Sequence, residues 1–316
     1  MSSTAFLFPG QGSHEVGMGA DLMRSDEWVR HHVAEASRVV GEDLERLCLR
    51  GPEKRLMRSS FVQPLMTILC LGYWRRLTAA GLQADIVAGH SLGEIAALAA
   101  SGVLAPDQAV AVAIERGRLM DEAAERTPGG MAAMFVPLDE AEAFIHGSGM
   151  AGKVFVANDN APEQVVVSGG GAELDEFVRL MDAARPGVCR PLRVSGPWHT
   201  PLLQEVCAAF GTWLSGVPFG RPAVPFVCNA TAAVETDPEQ LRANSAGQLT
   251  RRVRWRETMA GIRAGGARLL VEIGPRRVLA GLARLNGFGD EVAVRGVDSL
   301  RAVENLSADY SAGGGK

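Results

Sequence analysis

Hydrophobic and polar positions along the chain follow two periods in turn. The apolar run Ala5-Phe6-Leu7-Phe8 predicts a short buried strand over residues 4–8. It stops at Pro9-Gly10, and a loop through Gln11, Gly12 and Ser13 follows. Helix-period patterns cover residues 27–49 and 63–80. Ile86-Val87-Ala88 predicts a second buried strand, and the alanine-rich stretch 94–100 a helix behind it. A further helix over 107–125 has Pro106 at its start, where no N–H partner is lost. Strand alternating with helix predicts a mainly parallel sheet covered by helices.

Pro128-Gly129-Gly130 breaks this rhythm. Residues 131–136 read as strand, 139–146 as helix, 153–157 and 164–168 as strands, 174–184 as helix and 189–194 as strand. That β-α-β-β-α-β order is the ferredoxin-like pattern. After Pro197 the larger pattern resumes. Helices are predicted over 200–214, 238–249, 255–264 and 278–285, with strands at 225–228 and 268–273. The expected architecture is an α/β, hydrolase-like, mainly parallel sheet flanked by helices, formed by residues 1–128 and 197–305. A ferredoxin-like small lobe is inserted over 129–196. The tail 306–316, ending in three glycines and a lysine, is expected to be disordered.

Composition narrows the class. With 316 residues, 47% hydrophobic and 22% charged, the chain has the balance of an ordinary globular protein. A net charge of −4 argues against nucleic acid as the main partner. The five cysteines show no C-x-x-C spacing, so buried free thiols are expected rather than a zinc site. No basic, apolar leader opens the chain and no apolar stretch reaches membrane length, so a cytoplasmic protein is expected.

The chemistry concentrates at Gly89-His90-Ser91-Leu92-Gly93, between the second strand and its helix. A G-x-S-x-G elbow holds its serine on a sharp turn, clear of the sheet. The plain alternative is a glycine-rich turn with a serine N-cap. A nucleophilic serine needs a base. Of the six histidines, His31 and His32 fall in a polar helical stretch and read as solvated. His146 ends a small-lobe helix, His14 sits in the glycine loop and His90 adjoins the serine. His199 lies in Ser195-Gly196-Pro197-Trp198-His199, where the small lobe returns to the large one, and such junctions line clefts. In hydrolase-like sheets one oxyanion N–H comes from the residue after the nucleophile and another from a separate strand–helix loop. Leu92 and Gln11 hold those positions. Arg116, beside Ile114, Leu119 and Met120, is a cation on a half-buried helix. It would hold an anion, or else pair with Glu94 or Glu115.

These residues and their order resemble the malonyl-CoA:acyl-carrier-protein transacylases and the related acyltransferases of polyketide synthesis. The resemblance runs through Phe8-Pro9-Gly10-Gln11-Gly12, Gln63-Pro64, Gly89 to Glu94, Arg116-Gly117 and Gly130-Met131-Ala132-Ala133. It continues through Ala157-Asn158-Asp159-Asn160, Ser195 to His199, Gln248-Leu249, Val253-Arg254-Trp255 and Glu272-Ile273-Gly274-Pro275. It implies Ser91 as the acylated nucleophile, His199 as its base in a dyad, and a main-chain carbonyl near Gln248 orienting that histidine. Gln11 and Leu92 would supply oxyanion amides. Arg116 would hold the free carboxylate of a malonyl-type group, with Gln63, His90, Trp198, Met131, Asn160 and Gln248 also at the substrate. A CoA thioester and a phosphopantetheinyl carrier protein would be the substrates. No bound cofactor and no metal are needed, and a monomer is expected.

Because carrier proteins are acidic along their recognition helix, Arg185, Arg190, Arg276 and Arg277 are the docking candidates. The chain departs from the family at His14, where glutamine is usual, and at Trp198, where phenylalanine or serine is commoner. A tryptophan beside the base narrows the acyl pocket or reshapes it for an unusual acyl chain. A transacylase working between carrier proteins, an acyl hydrolase, an ordinary esterase and a silent docking module are the alternatives.

Overall fold

The computed structural model describes residues 3–313. β1 (Ser3–Phe8) is buried on both faces, which its unbroken apolar run requires. Five helices follow: α1 (Ala20–Ser25), α2 (Glu27–Val40), α3 (Leu44–Arg50), α4 (Glu53–Leu56) and α5 (Ser59–Ala79). β2 (Ile86–Gly89) leads through the serine elbow into α6 (Gly93–Ala100), and α7 (Pro106–Arg126) closes the first half. The small lobe is β3 (Gly129–Met134), α8 (Leu138–Gly147), β4 (Val154–Ala161), β5 (Gln164–Gly170), α9 (Gly171–Ala184) and β6 (Cys189–Pro191). The large lobe resumes with α10 (Gln204–Leu214), β7 (Phe226–Val227), β8 (Val234–Glu235), α11 (Pro238–Gly247) and α12 (Trp255–Ala264). It ends with β9 (Ala267–Ile273), α13 (Val278–Leu285), β10 (Ala293–Val297) and α14 (Leu300–Gly313).

The six-stranded sheet has the order β10-β9-β1-β2-β7-β8, parallel except for the β7–β8 edge pair. β1 is central. The chain leaves it toward β2 on one side and returns to β9 on the other. A crevice opens at the carboxyl ends of strands around such a reversal. The loops after β1, β2 and β9 therefore meet at one place, and they carry Gln11, Ser91 and Arg276. The second sheet has the order β4-β5-β3-β6, all antiparallel, which is the expected ferredoxin-like lobe.

Several expectations are corrected. The helix pattern over 27–49 is two helices, because Gly41 takes a left-handed conformation (φ 69°) and Asp43 caps α3 through the Arg46 amide. α5 begins at Ser59, ahead of Gln63, and continues through Pro64. The Asp121 carboxylate on α7 accepts from the Ser59 and Ser60 amides and so caps α5 from another helix. His32 is buried, not solvated: its ring lies between the Trp28 carbonyl and the Asp107 carboxylate, 2.8 and 2.9 Å away. Strand β10 went unread. The tail expected to be disordered from 306 is helical as far as Gly313, with Val303 and Leu306 packed in the main core. Its last three residues, 314–316, lie outside the described residues. Among the described residues, no helix is long and apolar enough to cross a membrane.

α5 is buried almost all round and packs closely on α7. The approach is closest at Gly117, where any Cβ would overlap the Ser59 carbonyl. Gly117→Ala is therefore expected to destabilise the protein by about 1–3 kcal/mol through overpacking. Gly281→Ala on α13, where added atoms meet open space, should be neutral or mildly stabilising. Urea denaturation of the two variants checks the contrast, and equal stability would refute the close-packing account.

Candidate active site

The elbow is built by two glycines and one strained serine. A Cβ on Gly93 would overlap the Phe8 carbonyl, and one on Gly89 would overlap the Gly93 backbone. Ser91 between them has φ 52°, a conformation that costs free energy for a side chain with a Cβ. It is held there from outside. The Ser91 amide donates to Asn229 Oδ1 at 2.7 Å, and Asn229 Nδ2 donates to the Gly89 carbonyl.

His199 is buried and also left-handed, with φ 61°. Its Nε2 lies 2.8 Å from Ser91 Oγ. Its Nδ1 faces two carbonyls, of Gln248 at 3.1 Å and Arg251 at 3.2 Å. Carbonyls only accept, so Nδ1 carries the proton and Nε2 presents its lone pair to the serine hydroxyl. Burial, then the nearby Arg116 charge, push the imidazole down to about 3. It is neutral at physiological pH, the form a general base requires.

Arg116 reaches the same point from α7, its guanidinium buried and its Nη2 3.3 Å from Ser91 Oγ. Nη1 donates to Gln63 Oε1 at 2.9 Å and Nη2 to Gln248 Oε1 at 2.7 Å. Among the described residues no carboxylate forms an ion pair with it; neutral amides hold it. Burial lowers it to about 10, which leaves it charged. The expected alternative pairing with Glu94 or Glu115 is not made directly. Glu115 bonds Arg118, and Glu94 stands behind Gln248.

Gln63 and Gln248 thus stand behind Arg116 and are not part of the cavity wall. Gln63 also bonds Gln11 Oε1, whose own Nε2 is tied to the Met57 carbonyl. The Gln11 and Leu92 main-chain amides have no acceptor among the described residues, as free donors beside a nucleophile should not. His90 turns away from Ser91, donates toward Asn160 Oδ1 at 2.8 Å and meets Trp255 edge-on. Trp198 is buried with its ring over Gly196.

A cavity of about 230 Å³ opens on this group. Ser91, His199, Arg116, Met131, Asn160 and Trp198 line it, together with an apolar side made by Leu192, Val278, Leu279 and Leu282. The volume and apolar wall suit a narrow chain ending in a polar head. Glu272 fixes that wall: its buried carboxylate accepts from the Leu279 and Ala280 amides at 2.9 and 2.7 Å and caps α13. Of the four docking candidates, Arg276 and Arg277 lead directly into Val278. Arg276 has φ 62° and lies 4.0 Å from Glu15; Arg277 is 3.7 Å from Asp298. Arg190 lies over the exposed Phe135 ring, and Arg185 pairs with Glu140. None of the four lines the cavity.

Sequence reasoning gave no role to Asn229 or Glu272, and gave Glu94 only a direct pairing with Arg116. The available signal was position: a polar residue within or just after a short buried strand, as with Asn229 after β7 and Glu272 in β9.

Comparison with known proteins places the chain in a family. The family model for the acyl transferase domain matches residues 5–288. A malonyl CoA-acyl carrier protein transacylase of Salmonella typhimurium is 34% identical over 287 residues, covering 90% of this chain and 93% of its own. The protein of the same name from Haemophilus influenzae is 34% identical over 97% of this chain and 99% of its own. Among solved structures, the malonyl-CoA:acyl carrier protein transacylase of Xanthomonas oryzae superposes with a TM-score of 0.90 at 31% identity, over 98% of both chains. A type II PKS acyl-carrier protein in complex with its malonyl-transacylase includes a chain with a TM-score of 0.89 at 32% identity, over 98% of this chain and 100% of that one. With a strained serine, a neutral histidine and a buried arginine converging in this fold, and a family match across most of its length, the chain belongs to the acyl transferase domain family.

Proposed function

We propose that this enzyme moves a malonyl-type acyl group from CoA to the phosphopantetheine thiol of an acyl carrier protein, in fatty acid or polyketide biosynthesis. The observation that carries the reading is Arg116: a buried, charged guanidinium held by two neutral amides, with no carboxylate ion pair among the described residues, and 3.3 Å from the Ser91 hydroxyl. Such a charge lacks one anion, and a free acyl carboxylate supplies it bidentately.

The steps follow from the geometry. His199 Nε2 takes the Ser91 proton as Oγ attacks the thioester carbonyl. The oxyanion forms beside the Gln11 and Leu92 amides. As the tetrahedral adduct collapses, the C–S bond breaks and His199 returns the proton to the CoA sulfur. The carrier's thiol then loses its proton to His199 and attacks the Ser91 ester carbonyl. As that adduct collapses the C–O bond breaks, His199 returns the proton to Ser91 Oγ, and the acyl group leaves as the carrier's thioester. The apolar wall at Leu192, Val278 and Leu282 takes the pantetheine arm and limits water at the ester. Trp198 narrows the space beside the base and favours an unbranched malonyl unit. Arg276 and Arg277, on the turn that leads into this wall, would meet the acidic face of the carrier, with Arg190 and Arg185 farther out on the small lobe.

Three outcomes are expected. Ser91→Ala should show no acyl adduct by intact-protein mass spectrometry after incubation with malonyl-CoA, and His199→Ala should acylate about 10²–10⁴-fold more slowly. A persisting adduct on Ser91→Ala would exclude the serine as nucleophile. Arg116→Ala should depress malonyl loading relative to acetyl loading by about 2–5 kcal/mol, the cost of losing one side of a desolvated charge pair. Equal losses for both acyl groups would make Arg116 a structural residue. Arg276→Glu with Arg277→Glu should raise the KM for the carrier protein, most strongly at low salt, while loading from CoA stays near the wild-type rate. An unchanged carrier KM at low ionic strength would remove this turn from the docking surface.

A further inference from the structure

One buried carboxylate close to the site has no part in the reaction described above. Glu94, in the first turn of α6, is buried, and both its oxygens are engaged. Oε1 accepts from the Asn229 amide at 2.8 Å, and Oε2 accepts from Gln248 Nε2. The same Gln248 amide group donates to the Ser91 carbonyl at 3.0 Å and turns its Oε1 to Arg116 Nη2 at 2.7 Å. A primary amide has one accepting and one donating end. Whatever fixes which end faces Glu94 also fixes which end faces Arg116.

We propose that Glu94 is a positioning residue for acyl selectivity, which holds the Gln248 amide in the orientation that aims Arg116 at the carboxylate of the acyl group. The inference rests on the reading of Arg116 given above. An ionised carboxylate accepts only, so it forces Gln248 Nε2 toward itself and Oε1 toward the guanidinium. Glu94 also brings a negative charge within one side chain of Arg116, where it favours the charged form of the buried cation without occupying it. A direct Arg116–Glu94 ion pair would use up the groups that a substrate carboxylate needs. Interposing an amide avoids that competition.

The consequence for Glu94→Gln is specific. The new side chain keeps its carbonyl oxygen on the buried Asn229 amide, since that donor has no other acceptor among the described residues. Its NH2 group then faces Gln248, which must rotate. The rotation places Gln248 Oε1 near the Ser91 carbonyl and Nε2 against Arg116, two repulsive contacts. Arg116 moves off its position, while the elbow keeps its Asn229 clamp.

The test is the ratio of malonyl to acetyl loading, measured as kcat/KM for each CoA thioester. In Glu94→Gln the ratio should fall about tenfold or more, the usual penalty for a small misplacement of a positioning group. Acetyl loading should change much less. In an Arg116→Ala background the same substitution should leave the ratio where Arg116→Ala alone puts it. Equal losses of malonyl and acetyl loading, or additive effects in the double variant, would overturn the proposal and leave Glu94 as a support of the elbow. If Arg116→Ala itself leaves the ratio unchanged, the malonyl reading fails first, and the two failures are told apart.

If Glu94→Gln does not fold, the unsubstituted enzyme carries the test. Burial pushes the Glu94 carboxyl up to about 7. Of the charged and titratable groups facing it, Arg116 is at about 10 and Cys228 at about 12. Neither changes state between about pH 8 and pH 6, and the acyl carboxylate stays ionised there. The His199 base acts on both acyl groups alike, so it cancels from the ratio. Protonating Glu94 at Oε2 turns that oxygen into a donor and imitates the substitution. The ratio should therefore fall several-fold from about pH 8 to about pH 6, and a flat ratio overturns the proposal.

Discussion

A guanidinium that is buried, charged and without a direct counter-ion among the described residues is the constraint on which the site rests. Removing such a charge from water is costly unless its donors are satisfied. Here the satisfaction comes from amide oxygens on two separate elements, Gln63 on α5 and Gln248 after α11, with Ser91 Oγ a third, longer contact. Each amide is in turn oriented by something else. Gln63 is tied to Gln11 in the loop after β1, and Gln248 to Glu94 at the start of α6. The loops after β1 and β2 and the helices α5, α6 and α7 are thus joined through one cation. These contacts leave further guanidinium N–H donors for an incoming acceptor near Ser91 Oγ.

Ser91 and His199, the proposed nucleophile and base, share a second feature, a left-handed backbone at a residue with a Cβ. Such strain persists only where the surroundings over-determine it. At Ser91 the close packing of Gly89 and Gly93 leaves the turn no other path, and Asn229 grips both sides of it. At His199 the ring is anchored by two carbonyls on one side and the serine on the other. The two carbonyls do the orienting that a carboxylate does in a full triad. They bring no negative charge to the imidazole, and burial, then the nearby Arg116 charge, keeps it neutral.

Much of this was legible in the sequence, and the reasons are physical. Buried strands and amphipathic helices announce themselves by period, so the small lobe and most of the large sheet could be placed. Ser91 was legible because close packing demands glycines at fixed offsets. His199 was legible because the chain crosses between lobes there. What was not legible depends on contacts distant in sequence. The true start of α5 is set by Asp121 on another helix, and the burial of His32 by Asp107 on α7. β10 escaped because its pattern, Ala-Val-Arg-Gly-Val, carries little apolar signal and draws its order from β9. Glu94 is legible as a partner for Arg116, but the amide of Gln248 that stands between them comes from a segment distant in sequence.

The attachment of the small lobe bears on how the ester survives. The lobe is stitched to the large domain, not hinged upon it. The Val253 amide donates to the Ala157 carbonyl at 2.8 Å, and the Asp159 amide donates to the Val253 carbonyl at 2.9 Å. The Arg256 guanidinium grips the buried Asp159 carboxylate through Nε, and Asn286 Nδ2 donates to the Asn160 carbonyl at 2.8 Å. Backbone bonds and an ion pair whose carboxylate is buried tie β4 to the large lobe and make opening of the cleft there costly. Asn158 and Asn160 on β4 both line the cavity. On the proposed reaction the substrates would reach Ser91 along the apolar side at Leu192, Val278 and Leu282. A pantetheine arm filling that passage in both half-reactions would confine water's access to the ester to the interval between them.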